Sequence, residues 1–178
     1  MKKIVALVMT FLMVVSMAGC DFSSGKVDVN ELKKNTGTMF SAYYNTSGVI
    51  EEDEEILRSI SYNLDYSGKL EMTKHFNLGG DYTATVTISD DDYTEIYNCA
   101  VMSKKLGDKN TFGEYMVDGG SGGCWEFTFY EPNATMGDNL FYGYFVSGHK
   151  YLDTFRDTCK KYSDEAEFVN ANGEKAPM

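Results

Sequence analysis

The fold is decided by residues 59–88, SISYNLDYSGKLEMTKHFNLGGDYTATVTI. At its start, apolar and polar side chains alternate strictly. The apolar set is Ile60, Tyr62, Leu64 and Tyr66, and the intervening positions are serine, asparagine and aspartate. Successive side chains of a strand point to opposite faces of the sheet, so this alternation predicts a β-strand with one buried and one solvated face.

Turn-forming residues divide the rest of this stretch into two more strands. Ser67-Gly68-Lys69 predicts a turn, and a second extended segment runs from Leu70 to Leu78. Gly79-Gly80-Asp81 can supply the positive φ angles of a tight hairpin, after which alternation resumes from Tyr82 to Ile88. Three consecutive antiparallel strands are therefore expected.

The period changes after this stretch. Apolar residues now recur at helical spacing, at Tyr93, Ile96, Tyr97, Ala100 and Val101. This spacing predicts a helix from Asp92 to Leu106, with Asp92 and Glu95 in a capping arrangement at its start.

The remaining elements follow from weaker patterns. Aromatic-rich segments at Cys124–Tyr130 and Leu140–Val146 predict a second hairpin, because aromatic side chains suit a half-buried pleated surface. An apolar stripe from Tyr151 to Tyr162 predicts a last helix, and a first helix is expected over Val29–Tyr44. The predicted class is α+β: a single domain, residues 29–162, with an antiparallel sheet of about five strands covered by one or two helices, followed by a polar tail at 163–178.

The N-terminal segment has the pattern of an export signal. Lys2 and Lys3 precede a short apolar run and small residues, as in secretory signal peptides. Met17-Ala18-Gly19-Cys20 resembles the lipobox of bacterial lipoproteins, in which the cysteine carries a thioether-linked diacylglycerol. The resemblance implies removal of residues 1–19, a lipid on Cys20 with a tether over residues 20–28, and a cell-membrane location facing outside the cytoplasm. An ordinary signal peptide cut near Ala18 is the alternative.

The net charge of the chain restricts the chemical class of its binding partner. The chain has a formal net charge of −11, and loss of Lys2 and Lys3 with the signal would change it to −13. Nucleic acids and anionic lipid head groups are bound mainly through clustered Lys and Arg. We therefore expect no nucleic-acid partner. Cationic partners, divalent metal ions and neutral polymers remain open.

Cys124 and His149 are the candidate catalytic residues. The segment Gly122-Gly123-Cys124-Trp125 resembles the surroundings of the nucleophilic cysteine in papain-like proteases. The resemblance covers only these few residues. The chain contains no glutamine for an oxyanion hole, and His149 follows Cys124 much more closely than in that family. Setting Cys20 aside, Cys99, Cys124 and Cys159 allow at most one internal disulfide.

An acidic run and a glycine-rich run are weaker candidates for a calcium site. Asp90, Asp91 and Asp92, preceded by Ser89, are candidate calcium ligands, as is the loop Asp118–Gly122, but neither has EF-hand spacing. Charge blocks of this kind are usually solvated loops or helix starts. No cofactor is predicted.

Aromatic side chains on the second hairpin are the candidate binding residues. The predicted binding residues are Trp125, Tyr130, Tyr142 and Tyr144. Rings on both faces of neighbouring strands leave an aromatic platform if one face stays uncovered, and the alternative is that helices cover one face and loops the other. We expect a lipid-anchored binding or interaction module that takes a glycan, a peptide or an envelope protein. A small cell-envelope hydrolase using Cys124, and a structural accessory subunit of an envelope complex, are the alternatives.

Overall fold

A computed structural model describes residues 28–46, 55–106, 123–143 and 150–177. The predicted signal, Cys20, the glycine-rich loop, Tyr144 and His149 lie outside these ranges. The strands are β1 (Thr38–Thr46), β2 (Leu57–Asp65), β3 (Lys69–Phe76), β4 (Gly80–Thr87), β5 (Gly123–Phe129) and β6 (Asp138–Gly143). The helices are α1 (Val29–Leu32), α2 (Asp90–Leu106) and α3 (Lys150–Glu165). Within these ranges no helix has the length and apolar character needed to cross a bilayer.

All six strands form one antiparallel sheet in the order β4-β3-β2-β1-β5-β6. The predicted α+β class is confirmed, with one strand more than the five expected. The β3–β4 hairpin turns where it was predicted, and Gly80 has the positive φ of +80° that such a turn requires.

The additional strand is β1, which replaces most of the predicted first helix. Helix α1 ends at Leu32, and the prediction of helix from there to Tyr44 is wrong. An irregularity in the β1–β2 register between Thr38 and Phe40 lets both Met39 and Phe40 be buried. Two successive buried residues break the two-residue period by which strands are recognised. The strand is nevertheless central, because β2 and β5 pair with its two sides.

Helix α2 begins at Asp90, two residues before its predicted start, and its cap is Ser89. The Ser89 Oγ accepts a hydrogen bond from the backbone N–H of Asp92 at 3.1 Å and donates to the Asp92 carboxylate at 2.7 Å. Ser89 and Asp92 therefore form a reciprocal cap. The predicted capping pair was Asp92 and Glu95.

The hydrophobic core lies between the sheet and the two long helices. At its centre the ring of Phe155 on α3 lies 4.8 Å from that of Phe40 and 5.3 Å from that of Phe127, measured between centroids. All three side chains are fully buried. Burying a large apolar side chain contributes about 2–3 kcal/mol, so this contact is a main attachment of α3 to the sheet.

Residues after α3 return to the edge of the sheet. Phe168 is only 3% exposed, and the ammonium of Lys74 lies 4.2 Å from its ring centroid. Burial lowers the pKa of Lys74, against a smaller opposite effect from Asp164. Val169 pairs with Thr83 on β4. The C-terminal segment, which the composition presents as a polar tail, is thus docked in part.

Candidate functional site

The sheet face turned away from the helices is polar, and we call it the open face. Its residues come from alternate positions of the strands. They include Ser41, Tyr43 and Asn45 on β1, Ser61 and Asn63 on β2, Lys69, Glu71, Thr73 and His75 on β3, Asp81, Thr83 and Thr85 on β4, Cys124, Glu126 and Thr128 on β5, and Tyr142 on β6. Antiparallel sheets commonly solvate one face in this way.

Two tyrosines interrupt this polar surface, one on each side of a carboxylate. Tyr43 is the direct cross-strand partner of Glu126, and Glu126 is the direct partner of Tyr142. The tyrosine side chains are 41% and 70% exposed, and Glu126 between them is half-buried. Neighbouring strands lie about 4.8 Å apart, which places the two tyrosine positions about 10 Å from each other. We call these three residues the Tyr–Glu–Tyr row.

Hydroxyl side chains extend this row across the sheet. Tyr43 faces Ser61, Ser61 faces Thr73, and Thr73 faces Thr83. The extended line crosses all six strands and is about 24 Å long at the usual strand spacing. Each hydroxyl can both donate and accept a hydrogen bond, so the line offers polar contacts to an elongated ligand.

Among the described residues, two carboxylates of the open face have a basic neighbour and a third has none. His75 Nδ1 lies 2.5 Å from the Asp81 carboxylate, and the ammonium of Lys69 lies 2.8 Å from the Glu71 carboxylate. Glu126 differs from these two carboxylates. Within the four described ranges, no basic side chain lies within 4.0 Å of it.

Cys124 lies on the open face without a base beside it in the described residues. Its thiol is half-buried, faces Asn45 across the strands, and lies 3.9 Å from the carbonyl oxygen of Trp125. His75 shares this line of residues but is three strands away, about 14 Å at the usual spacing. His149 falls outside the described ranges.

The other two described cysteines are buried free thiols. Burial raises the pKa of both Cys99 and Cys159. A thiol must ionise to act as a nucleophile, so these two cysteines serve as core residues.

The acidic turn at the start of α2 is held by protein contacts. The Asp90 carboxylate lies 2.6 Å from the ammonium of Lys33, and that of Asp92 lies 2.8 Å from Lys161 and accepts a hydrogen bond from the Tyr162 hydroxyl at 2.6 Å. Asp91 is exposed. No group of three or more potential metal ligands occurs in the part of the chain that the structure describes. The calcium interpretation of this turn therefore gains no support.

The predicted binding aromatics separate onto different surfaces. Trp125 is 4% exposed on the helix-covered face, where its ring centroid lies 5.4 Å from that of Phe127. Trp125 therefore does not lie on the candidate binding surface. Tyr130 follows β5, is half-buried, and accepts a hydrogen bond from the Tyr66 hydroxyl at its carbonyl oxygen. Of the four, Tyr142 alone is placed on the open face, and Tyr144 lies outside the described residues.

Tyr43 and Glu126 are not among the site residues that the sequence predicts. The alternation of Cys124, Glu126 and Thr128 with buried aromatics could have identified Glu126. Tyr43 lies in the predicted first helix, so its neighbours across the sheet could not be inferred from the sequence.

Comparison with known proteins adds no relative, because no protein-family model, curated protein or solved structure matches this chain. The open face combines exposed rings, hydroxyls and the carboxylate of Glu126, which has no basic neighbour among the described residues, and this combination suits ligand binding.

Proposed function

We propose that this chain is a binding module, held at the outer side of a bacterial membrane by a lipid on Cys20, with the open face as its ligand surface. The lipobox-like Met17-Ala18-Gly19-Cys20 supports the anchor. Two or more acyl chains on one cysteine give stable anchoring, since each buried methylene contributes about 0.8 kcal/mol.

The binding role rests on the Tyr–Glu–Tyr row. Tyr43 and Tyr142 are large side chains that the fold leaves exposed on an otherwise hydrophilic face, whereas the rings of the opposite face are buried or half-buried. Tyrosine combines a broad apolar surface with a polar hydroxyl, and aromatic residues are enriched in the centres of interfaces. A row of this kind suits a surface that is covered when a partner binds.

Among the described residues, the surroundings of Cys124 favour binding over the hydrolase alternative, and His149 lies outside these residues. A nucleophilic thiol needs a base within hydrogen-bond reach, and His75 is strands away. The accessory-subunit alternative would also use an exposed face, and it predicts stable co-purification with a membrane complex.

Lipid attachment is tested with the full chain expressed in a Gram-positive bacterium that is fed an alkyne-tagged palmitate. We expect label on the protein and recovery in the membrane fraction. Cys20→Ser should abolish both and release the protein, whereas the matched control Cys124→Ser should retain both. Label that persists in Cys20→Ser would contradict the anchor.

Ligand binding is tested on the full chain in detergent by thermal shift. The probes are a hexa-arginine peptide, a hexamer of N-acetylglucosamine and purified muropeptides. A ligand present at 100 times its dissociation constant adds about 2.7 kcal/mol to the stability of the native state. We expect at least one probe to stabilise the protein, and Tyr43→Ala with Tyr142→Ala to remove that shift, while Thr85→Ala on the same face retains it. A shift that survives loss of both tyrosines would place binding elsewhere.

A further inference from the structure

We infer that the Tyr–Glu–Tyr row is a receptor for a cationic side chain, and that the ligand of the open face is a basic, arginine-bearing peptide segment. This inference rests on the proposed function and names the ligand class for that surface. It follows from the charges of the face, from the placement of the rings, and from the chemistry of the residues beside them.

The negative charge of Glu126 in the Tyr–Glu–Tyr row favours a cationic ligand. Asp81 has a basic neighbour on the adjacent strand, His75, at 2.5 Å, and Glu71 has one on its own strand, Lys69, at 2.8 Å. Glu126 is half-buried and has no such neighbour among the described residues. A partly desolvated carboxylate gains most from a ligand that brings a positive charge and hydrogen-bond donors together.

The rings on either side favour the same ligand. A cation over the face of a tyrosine ring is attracted by the ring quadrupole, and Tyr43 and Tyr142 flank the carboxylate at equal strand spacing. Arginine fits this arrangement better than lysine. Its planar guanidinium can stack on a ring and form two parallel hydrogen bonds to one carboxylate.

The residues beyond the row fit a peptide. Ser61, Thr73 and Thr83 continue the line and offer hydroxyls to backbone N–H and carbonyl groups. A neutral glycan could contact the rings and hydroxyls but would bring no positive charge to Glu126. A polyanion would be repelled by a chain of net charge −11, which instead attracts basic ligands over a distance.

The first experiment compares two charge-matched variants of the full chain in detergent. Isothermal titration calorimetry measures the affinity of a hexa-arginine peptide for the wild type, Glu126→Gln and Glu71→Gln. Both variants remove one negative charge from the open face. We expect Glu126→Gln to weaken binding about tenfold, because it removes charge-assisted hydrogen bonds to the ligand, and Glu71→Gln to weaken it less than about threefold. Equal losses in the two variants would overturn the inference, since they would show general attraction to an acidic surface.

The second experiment tests the contribution of the Tyr142 ring to binding. Tyr142→Phe keeps a ring that can attract a cation, whereas Tyr142→Ala does not. We expect the phenylalanine variant to bind hexa-arginine within about twofold of the wild type, and the alanine variant to bind about fivefold more weakly. Equal affinity of the alanine variant and the wild type would overturn the inference.

The N-acetylglucosamine hexamer distinguishes failure of the cationic assignment from failure of the proposed ligand surface. If it binds in a tyrosine-dependent manner and hexa-arginine does not, the open face is still a binding surface but the cationic assignment is wrong. If neither probe, nor muropeptides, binds through the tyrosines, the inference fails together with the ligand-binding part of the proposed function, and the palmitate experiment still decides the anchor.

Discussion

Thr83 and Val169 exchange two backbone hydrogen bonds, one from the Thr83 N–H to the Val169 carbonyl at 2.8 Å and one in the opposite direction at 3.0 Å. The C-terminal segment thereby pairs with β4, one of the two edge strands of the sheet. An edge strand with unpaired backbone groups is a template for association with other chains. The pairing protects part of this edge, and the segment is a structural component of the domain.

Phe168→Ala should detach this segment and destabilise the protein by about 3 kcal/mol. The side chain is 3% exposed, and truncating a buried phenylalanine removes its packing and leaves a cavity. Denaturant unfolding, followed by fluorescence of Trp125, the sole tryptophan, measures the free energy. Glu167→Ala is the control, because its ion pair with Lys175 is exposed and should change stability by less than about 0.5 kcal/mol. A loss below 1 kcal/mol for Phe168→Ala would show that the segment is not held by this side chain.

Ser89→Ala should destabilise the protein by about 1 kcal/mol. The substitution removes the oxygen that accepts from the Asp92 N–H at the start of α2. Ser89→Thr retains a hydroxyl at the cap and should stay within about 0.5 kcal/mol of the wild type in the same unfolding assay. Similar losses in the two variants would contradict a capping role.

Asp92 should make stability depend on acid pH. Burial acts to raise the pKa of Asp92, but hydrogen bonds from Lys161, Tyr162 and Ser89 outweigh it and hold that pKa below its usual value. The stabilisation is therefore present above the unfolded-state pKa of about 3.9 and is lost as the pH falls through the lower folded-state pKa.

Unfolding at pH 7 and at about pH 2.5 tests this dependence. Asp92→Asn should be less stable than the wild type by about 1 kcal/mol at pH 7, and this difference should shrink at the acid pH. Asp91→Asn, in the same turn but exposed, should differ little from the wild type at both. A difference for Asp92→Asn that is the same at both pH values would rule out ionisation as its cause.

The cysteines should differ in reactivity. Iodoacetamide applied to the native protein should alkylate the half-buried Cys124 first, since burial excludes the reagent from Cys99 and Cys159 and raises their pKa. Mass spectrometry of proteolytic peptides assigns the sites, and unfolding in guanidinium should equalise the rates. Rapid alkylation of Cys159 in the native state would show that α3 opens readily.

Local pattern was enough to predict most of the fold. Strands β2, β3 and β4 were found because their alternation is regular, and α2 and α3 because their apolar residues repeat at helical spacing. Strand β1 was missed because the irregularity between Thr38 and Phe40 disturbs its alternation. The docking of Phe168 was missed because a single aromatic residue among polar ones carries no periodic signal.

The candidate site was less predictable, since it depends on register. Tyr142 was selected as an aromatic residue of a strand, but the sequence could not place it beside Glu126. That adjacency arises from the pairing of β5 with β6, and Tyr43 joins it only because β1 lies on the other side of β5. Trp125 was expected at a binding surface, but it belongs to the buried half of the same alternation.

The central position of β1 has a kinetic consequence. Its first partner, β2, follows it closely in the chain, but its second is β5, so that Phe40 pairs with Phe129. During synthesis, one side of β1 has no native partner until most of the chain has been made. Pairing between distant segments is slow, and an exposed strand edge meanwhile invites association with other molecules. The rate at which this protein folds should therefore be set by the arrival of residues 123–129 at that edge.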